Sequence, residues 1–440
     1  MILVDLTDLE RWDGVHGGTQ RVVYGIAKEL RRGADVGFIA YSNGWDRFVE
    51  TSLDPVVERV ERAPDTGTGS QPPAAPPRSA AYRLARRLRV LVPRAVRGNP
   101  RLRAAAYRAL QRLRRAAARL RPAPAPAPGP EAYAFQPDDV VLVLGKPWDE
   151  PGLQARLDAE KERVGFRVVE LVYDMVIPLQ PHLHHPTLFV PYTRQMFLQA
   201  QGADRLLAIS ESTRRDFEAF CARLALDCPP IDVIRLADRL ESGRVPAEDD
   251  DLPLPDGVAE EFVLCVGTVE VRKNHALLYE TWRLAAERGV RLPQLVIVGA
   301  RGWLVEETWN LLTRDPAVRD SIRILTSVDD AVLARLYRRC RCTVYPSRYE
   351  GWGLPVAESL AYGKPVAASS AASIPEIGGD LVRYFSPHSA DECLAALAAL
   401  TDPRECAAAA ARIAERYVPT SWAETAAAVR ASIARLDPAG

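Results

Sequence analysis

Strand-like runs that alternate with helical patterns constrain this chain more than any other feature of its sequence. Runs at 1–6 (MILVDL), 36–41 (VGFIAY), 139–145 (DVVLVLG), 167–172 (RVVELV) and 205–209 (RLLAI) are separated by helical patterns near 19–32, 151–164, 190–200 and 211–222. A polar stretch, 241–257 (ESGRVPAEDDDLPLPDG), interrupts the series. It then restarts, with strands at 262–267, 295–299, 322–325, 342–345 and 365–369 and helices at 274–288, 303–313, 329–339 and 354–362. Repeated βα units build a mostly parallel sheet covered by helices on both faces. The pattern predicts an α/β protein of two Rossmann-like, doubly wound domains, 1–240 and 258–410, joined by the linker 241–257 and facing across a cleft. Helical sequence at 391–437 is expected to pack back on the first domain, with 411–440 as the closing helix.

One segment breaks the alternation. Residues 64–78 are rich in Pro, Gly, Ser and Thr, and 122–130 (PAPAPAPGP) reads as an extended spacer. Between them, 78–121 carries fifteen arginines and no acid, and its leucines and alanines recur at three- and four-residue steps. The insertion 64–130 therefore has three readings: a low-complexity segment, a nucleic-acid contact, or a basic amphipathic helix lying on an anionic membrane surface. The whole chain balances 57 basic against 57 acidic residues, which speaks against general nucleic-acid binding. No apolar run reaches the roughly 18–20 residues a spanning helix needs, and MILVDLTDLERWD has no basic leader. These features predict a cytoplasmic protein, peripheral on the inner face of a membrane if 78–121 binds lipid. Seven scattered cysteines lack paired zinc spacing and are expected to be buried free thiols.

In open α/β sheets ligands bind beyond the carboxyl ends of the strands. Strand 262–267 runs into GTVEVRKN, where Gly267 permits a close turn and Arg272 and Lys273 precede a helix start. Two cations beside helix amides suit a diphosphate, although a solvated turn with a salt bridge would use the same residues. Lysine is rare here, with only five in the chain, so Lys273 reads as a chosen point charge. Strand 342–345 gives way to PSRYEGWGLPVAESLAYGKPV, where Gly351 and Gly353 free the backbone and Leu354-Pro355 opens a helix. Glu350 stands at that helix mouth and Glu358 eight positions later. Such carboxylates can accept hydrogen bonds from sugar hydroxyls, or simply cap the helix.

With these motifs on view, the chain resembles the retaining GT-B glycosyltransferases of family 4, the group 1 glycosyltransferases. Gly267-Thr268, Arg272-Lys273-Asn274, Pro346-Ser347, Glu350-Gly351, Gly353-Leu354-Pro355, Glu358, Gly363-Lys364-Pro365-Val366 and Pro375-Glu376 carry the resemblance, the two glutamates matching an E-x7-E pattern. It implies that Arg272 and Lys273 hold a donor diphosphate, that Glu350 contacts the donor sugar and Glu358 the ribose, and that anomeric configuration is retained. HGGTQRVVYGI (16–26) resembles the family's glycine-rich first loop, where Gly17 and Gly18 approach donor and acceptor, and SWAETAAAV (421–429) resembles its closing helix. LVYDMVIPLQPHLHHPT (171–187) resembles a D-x-I-P-x-x-x-P segment of bacterial mannosyl- and rhamnosyltransferases of polysaccharide assembly, with Asp174 in the cleft. Here the chain departs from its relatives, carrying Tyr173 where a histidine often stands and Thr187 where an acid is usual.

The resemblance implies a hexose, of mannose or rhamnose type, moved from a GDP- or dTDP-linked donor to a glycan or lipid-linked acceptor in cell-surface polysaccharide (lipopolysaccharide) synthesis. No Asp-x-Asp sits at a strand end, and Asp249-Asp250-Asp251 falls in the linker, so no metal and no cofactor beyond the nucleotide-sugar is expected. His182, His184 and His185 share one loop without a nearby acid, which favours acceptor-side or packing roles over a metal. Ser210 reads as a helix N-cap. Two alternatives remain: a nucleotide-sugar epimerase of the same shape, and a non-catalytic scaffold.

Overall fold

The computed structural model describes residues 1–10, 12, 18–62, 129–150, 152–238 and 252–436. Gly17, residues 64–128 of the insertion with the arginine segment 78–121, and the linker through Asp251 lie outside these residues.

The first half runs β1 (Ile2–Asp5), α1 (Gly18–Leu30), β2 (Val36–Ser42), β3 (Arg47–Glu50), α2 (Asp54–Arg62), β4 (Val140–Val143), α3 (Leu153–Val164), β5 (Arg167–Val172), α4 (Val176–Leu179), α5 (Phe189–Gly202), β6 (Arg205–Ala208), α6 (Glu211–Leu224) and β7 (Ile231–Val233). Its sheet is ordered β3-β2-β1-β4-β5-β6-β7 and is parallel except for the β2–β3 pair. The second half runs β8 (Phe262–Val266), α7 (His275–Arg288), β9 (Gln294–Val298), α8 (Glu306–Arg314), β10 (Ile322–Leu325), α9 (Asp330–Arg339), β11 (Cys342–Tyr345), α10 (Leu354–Ala361), β12 (Val366–Ser369), α11 (Ile374–Gly378), β13 (Arg383–Phe385), α12 (Ala390–Thr401), α13 (Pro403–Arg416) and α14 (Trp422–Ile433). Its sheet, β10-β9-β8-β11-β12-β13, is parallel throughout. Each sheet reverses direction once, between β1 and β4 and between β8 and β11. Those two points are where an open α/β sheet offers a crevice.

The strand runs read from the sequence form the buried centres of these sheets: β1, β11 and β12 are buried at every position. Six elements escaped that reading, namely β3, α2, α4, β7, α11 and β13. β3 (RFVE), β7 (IDV) and β13 (RYF) are three or four residues long, too short to show a period. Ser210 caps α6 as expected, its Oγ accepting from the Thr213 amide at 3.0 Å. Among the described residues no helix is long and apolar enough to cross a membrane.

The C-terminal helices divide differently from the expectation. α12 packs on α7, and Cys393, Ala396, Leu397 and Leu400 join Ala409 of α13 in the core of the second domain. Position 411 thus falls inside α13, whose Ala409 joins the second-domain core. α14 packs on α1 of the first domain. The Trp422 ring lies where a Cβ on Gly25 would stand, 2.4 Å away, so α1 carries glycine at that crossing. A capping box between Ser421 and Glu424 starts α14, and Arg430 pairs with Asp35 at 3.1 Å. All seven cysteines are free, but Cys228 is exposed and Cys406 half-buried, against the expectation that all would be buried.

Glu170 on β5 is wholly buried, and Gln154 donates to its Oε1 at 3.2 Å. Burial pushes its carboxyl up to about 7, against hydrogen bonds from Gln199 and Gln154. An acid whose folded pKa is raised keeps its proton while the unfolded chain loses it, so its contribution to stability declines as pH rises from the ordinary carboxyl range to about 7. Glu170→Gln should therefore raise the thermal midpoint at pH 8 by more than at pH 5, where wild type is already protonated. A gain of equal size at both pH values would show that Glu170 is not the titrating group.

Candidate active site

β8 and β11 lie side by side at the centre of the second sheet, with Cys342 opposite Val263 and Thr343 opposite Leu264. The loops that follow them therefore leave from the same edge. Gly267 takes φ +144°, which side-chain-bearing residues rarely adopt, and a Cβ on Gly299, just after β9, would lie 2.0 Å from its carbonyl oxygen. Beyond it the chain makes a single 3-10 turn, Val271–Lys273, and Asn274 ends it in the left-handed region at φ 59°. The Asn274 amide donates to the carbonyls of Pro346 at 3.0 Å and Pro387 at 2.9 Å. It also accepts from Arg348 Nε at 3.1 Å, while the Arg348 amide donates to Arg272 O at 2.9 Å. Asn274 thus locks the two loops together.

That lock brings the charges into one cluster. Glu350 Oε2 lies 2.6 Å from Arg272 and its Oε1 2.8 Å from Lys273. The Tyr345 hydroxyl donates to the same Oε1 at 2.9 Å and also accepts from Lys273 Nζ. Arg272 is held on its other sides by Glu270 at 2.7 Å and the Tyr349 carbonyl at 3.1 Å. Burial alone would raise the Glu350 carboxyl, but the Arg272 and Lys273 charges overcome it and hold the group down to about 2. Glu350 is a pure acceptor at any working pH. Glu270 is shifted upward, because its burial outweighs the same two cations.

The loop after β11 explains both of its glycines. A Cβ on Gly351 would fall 1.9 Å from the Tyr173 carbonyl oxygen of the first domain, so only glycine allows that approach. Gly353 has φ +127° and sits at the N-cap of α10, with Leu354-Pro355 as its first residues. Ser373 Oγ donates to the carbonyls of Glu350 and Trp352 at 2.8 and 2.6 Å and fixes the loop from behind. Glu358, buried in α10, accepts from the Tyr337 hydroxyl of α9 at 2.7 Å. Burial raises its pKa, and the Lys273 charge that holds Glu350 down also opposes that rise.

The first domain faces this cluster. Asp174 follows β5, accepts from the Val176 amide at 3.0 Å and the Tyr192 hydroxyl at 3.3 Å, and is raised by burial against the pull of Arg272. Tyr349 donates to Asp216 at 2.6 Å and accepts from the Met175 amide at 3.3 Å. His184 packs on Trp303 with ring centroids 4.6 Å apart. Burial, then the Arg272 charge, lowers its pKa to about 4, so it is a neutral packing group. His185 accepts from the Thr187 amide, and His182 is exposed. Among the described residues no set of three His, Cys, Asp or Glu could hold a metal ion. Gly18 opens α1 with nothing within 4 Å of where a side chain would begin.

Residues 252–416, which contain this whole cluster apart from Asp174, match the family model described as glycosyl transferases group 1. The chain carries a group 1 glycosyl transferase domain. It is 30% identical over 243 residues to the O-antigen chain mannosyltransferase B of Escherichia coli, covering 51% of this chain and 58% of that protein. It is 29% identical over 200 residues to the serotype-specific mannosyltransferase WbdA of Escherichia coli, covering 42% of this chain and 24% of the relative. The chain thus spans less than two thirds of either. A solved trehalose-6-phosphate synthase, OtsA, superposes over 99% of both chains with a TM-score of 0.61 at 13% identity, which shows the GT-B fold.

Within this group 1 transferase domain, Gly267, Arg272, Lys273, Glu350, Gly351, Gly353, Leu354 and Glu358 all lie on the loops after β8 and β11 or on α10. Sequence reading missed Asn274 as the lock, Tyr345 as the phenol between Lys273 and Glu350, Glu270 as the second partner of Arg272, and Ser373. Tyr345 ends a strand immediately before the glycine-rich loop and was detectable by position. The others act through carbonyls or charges supplied by distant segments. Removing one partner of a buried ion cluster costs about 3–5 kcal/mol, so Glu350→Gln should lower the thermal midpoint markedly at neutral pH. A depressed carboxyl contributes its stability above the unfolded value of 4.5 and loses it as pH falls toward about 2. The gap between wild type and variant should narrow across that window, and a gap independent of pH would remove the ion cluster as its cause.

Proposed function

We propose that this chain is a retaining, metal-independent glycosyltransferase. It moves a hexose, of mannose type in preference to rhamnose, from a GDP- or dTDP-linked donor to a glycan or lipid-linked acceptor in cell-surface polysaccharide synthesis. The observation that carries the reading is the buried cluster of Arg272, Lys273 and Glu350 at the strand-order reversal of a group 1 transferase domain. The mannosyltransferase names of the two Escherichia coli relatives favour the mannose type.

In this reading the donor diphosphate meets Arg272 and Lys273, whose charge stabilises it as it leaves and takes the place of a metal ion. Glu350, held ionised, accepts hydrogen bonds from donor hydroxyls, and Glu358 accepts from the ribose. Asp174 presents the acceptor-side carboxyl opposite Arg272. The acceptor oxygen bonds to the anomeric carbon on the face from which the diphosphate departs, and its proton passes to the leaving phosphate. The protein supplies orientation and fixed charge.

Incubation of the full chain with a panel of nucleotide-sugars should release nucleoside diphosphate slowly in the absence of acceptor. Epimer formation would reassign the protein as an epimerase, and no turnover of any donor would leave a scaffold. Activity unchanged by EDTA is expected, and loss restored by magnesium would end the metal-free mechanism. Lys273→Ala should lower kcat by about 10²–10³ and KM little, because its charge acts most as the diphosphate leaves. Glu358→Ala should weaken nucleoside diphosphate binding by the order of 1–3 kcal/mol expected for an unmatched buried hydroxyl. Tyr337→Phe keeps the Glu358 carboxylate and should bind the nucleotide as wild type does. Equal weakening in both would make Glu358 a packing residue.

A further inference from the structure

The chain passes between its two domains twice, and both passages meet at Asp238. The outgoing segment 234–238 follows β7 and precedes the linker, and the returning segment 417–421 joins α13 to α14. Asp238 is fully buried, and its amide donates to Thr420 O at 3.1 Å. Its Oδ2 accepts from the Thr420 amide and from the Tyr417 hydroxyl, at 2.8 Å each. The Arg235 carbonyl accepts from Thr425 Oγ1 of α14 at 2.9 Å. The crossing is therefore pinned by backbone and side chains together.

Arg235 extends from this junction to the candidate active site. Its guanidinium donates to Asp238 Oδ2 at 3.4 Å and to the Tyr417 hydroxyl at 3.3 Å. It also lies over two rings, 5.9 Å from the Tyr417 centroid and 5.6 Å from that of Trp352. Both fall within the roughly 6 Å at which a ring face attracts a cation, an attraction that grows as water is excluded. Trp352 is 6% exposed and belongs to the same buried cluster as Ile234 and Leu236, the chain neighbours of Arg235.

Trp352 stands two residues beyond Glu350, between Gly351 and Gly353. Glycine on either side gives the backbone no side chains of its own to hold it, so the indole is the anchor of this loop, with Ser373 behind it. Without a ligand Glu350 is fixed by Arg272 and Lys273 as well. A donor diphosphate draws on those two cations, and the loop then has to be held from elsewhere. Resting on the transferase reading above, we infer that Arg235 is a positioning residue, which clamps Trp352 to the domain crossing and so keeps Glu350 aimed at the donor sugar while Arg272 and Lys273 meet the diphosphate. The guanidinium is the one group that touches both passages of the crossing and the loop of Glu350.

Two measurements on the full chain test this: hydrogen exchange over 346–354, read by mass spectrometry, and the hydrolysis of GDP-mannose. Arg235→Gln keeps the stem over the ring and removes the charge, so it should speed exchange over 346–354 about three- to tenfold. It should lower kcat about tenfold and change KM little, because what is lost is orientation and not uniform binding. Arg235→Lys, which restores a cation over the indole, should recover most of both. Tyr417→Phe keeps its ring and loses the hydrogen bond to Asp238, so the thermal midpoint should fall while loop exchange and kcat stay as in wild type. If Arg235→Gln lowers the thermal midpoint and leaves loop exchange and kcat unchanged, Arg235 belongs to the crossing alone and the inference is overturned. Equal acceleration of the loop by Tyr417→Phe overturns it too. A wild-type chain whose loop exchange responds to Arg235→Gln, yet which hydrolyses neither GDP-mannose nor any other nucleotide-sugar, refutes the transferase reading and leaves no donor for Arg235 to serve.

Discussion

The buried ion cluster around Glu350 is the constraint on which the second domain depends. A carboxyl so deeply placed would be raised by desolvation, yet it is held down to about 2, because Arg272 and Lys273 each reach one of its oxygens. Burying such charges is tolerable only when every partner is in place. The cations come from the loop after β8, and the carboxylate and phenol come from β11 and its loop, so the β8–β11 pairing at the centre of the sheet is a condition of the cluster. Asn274 meets the same condition from a backbone conformation that side-chain-bearing residues seldom adopt. Moving either loop by one residue would strand a buried charge.

The same cluster ties the domains together. Tyr349 accepts from Arg272 through its carbonyl, while its hydroxyl reaches Asp216 and the Met175 amide. Glu376 accepts from the Glu211 and Ser212 amides at 2.7 Å each, capping a helix of the other domain. Arg21 of α1 pairs with Asp330 of α9 at 3.1 Å. Each is a polar contact that water can replace at a net cost of about 1 kcal/mol. Polar fastening of this kind holds the two domains in register.

Much of this was legible in the sequence, for a physical reason. Central strands of a parallel sheet are buried on both faces, so β4 (VVLV) and β8 (FVLCV) appear as continuous apolar runs. Site residues follow those strands, so position and residue type together picked out Arg272, Lys273, Glu350, Gly351 and Gly353. What escaped falls into two kinds. Edge strands such as β7 and β13 are too short to carry a pattern. Asn274, Ser373 and Tyr337 work through partners tens of residues distant, which a local reading of capping or amphipathic helix cannot reveal. The assignment of α12 and α13 to the closing segment failed similarly, because their small apolar residues fit either domain and only packing against α7 decides.

Charge is divided between the two points where strand order reverses, and the division bears on which substrate each can take. At β8–β11 Arg272 and Lys273 stand beside the carboxylates of Glu350 and Glu270, and a neutral sugar that displaced one of these ion pairs could return no charge. A diphosphate brings negative charge that the cations can share without giving up Glu350, and on the proposed reading that is why the donor and not the acceptor enters here. At β1–β4 Asp8 and Asp149 flank Lys146 at 3.6 and 3.3 Å, and Asp5 and Glu150 line the same crevice, so acids outnumber the one cation there. The two crevices meet at Tyr173, whose carbonyl is pressed against Gly351 and whose ring lies within reach of the Asp8 charge. A side chain larger than glycine at 351 would push the crevices apart by the width of a Cβ. The one glycine that the packing between domains requires is therefore also the residue that sets the distance between the cation cluster and the acid-lined cavity.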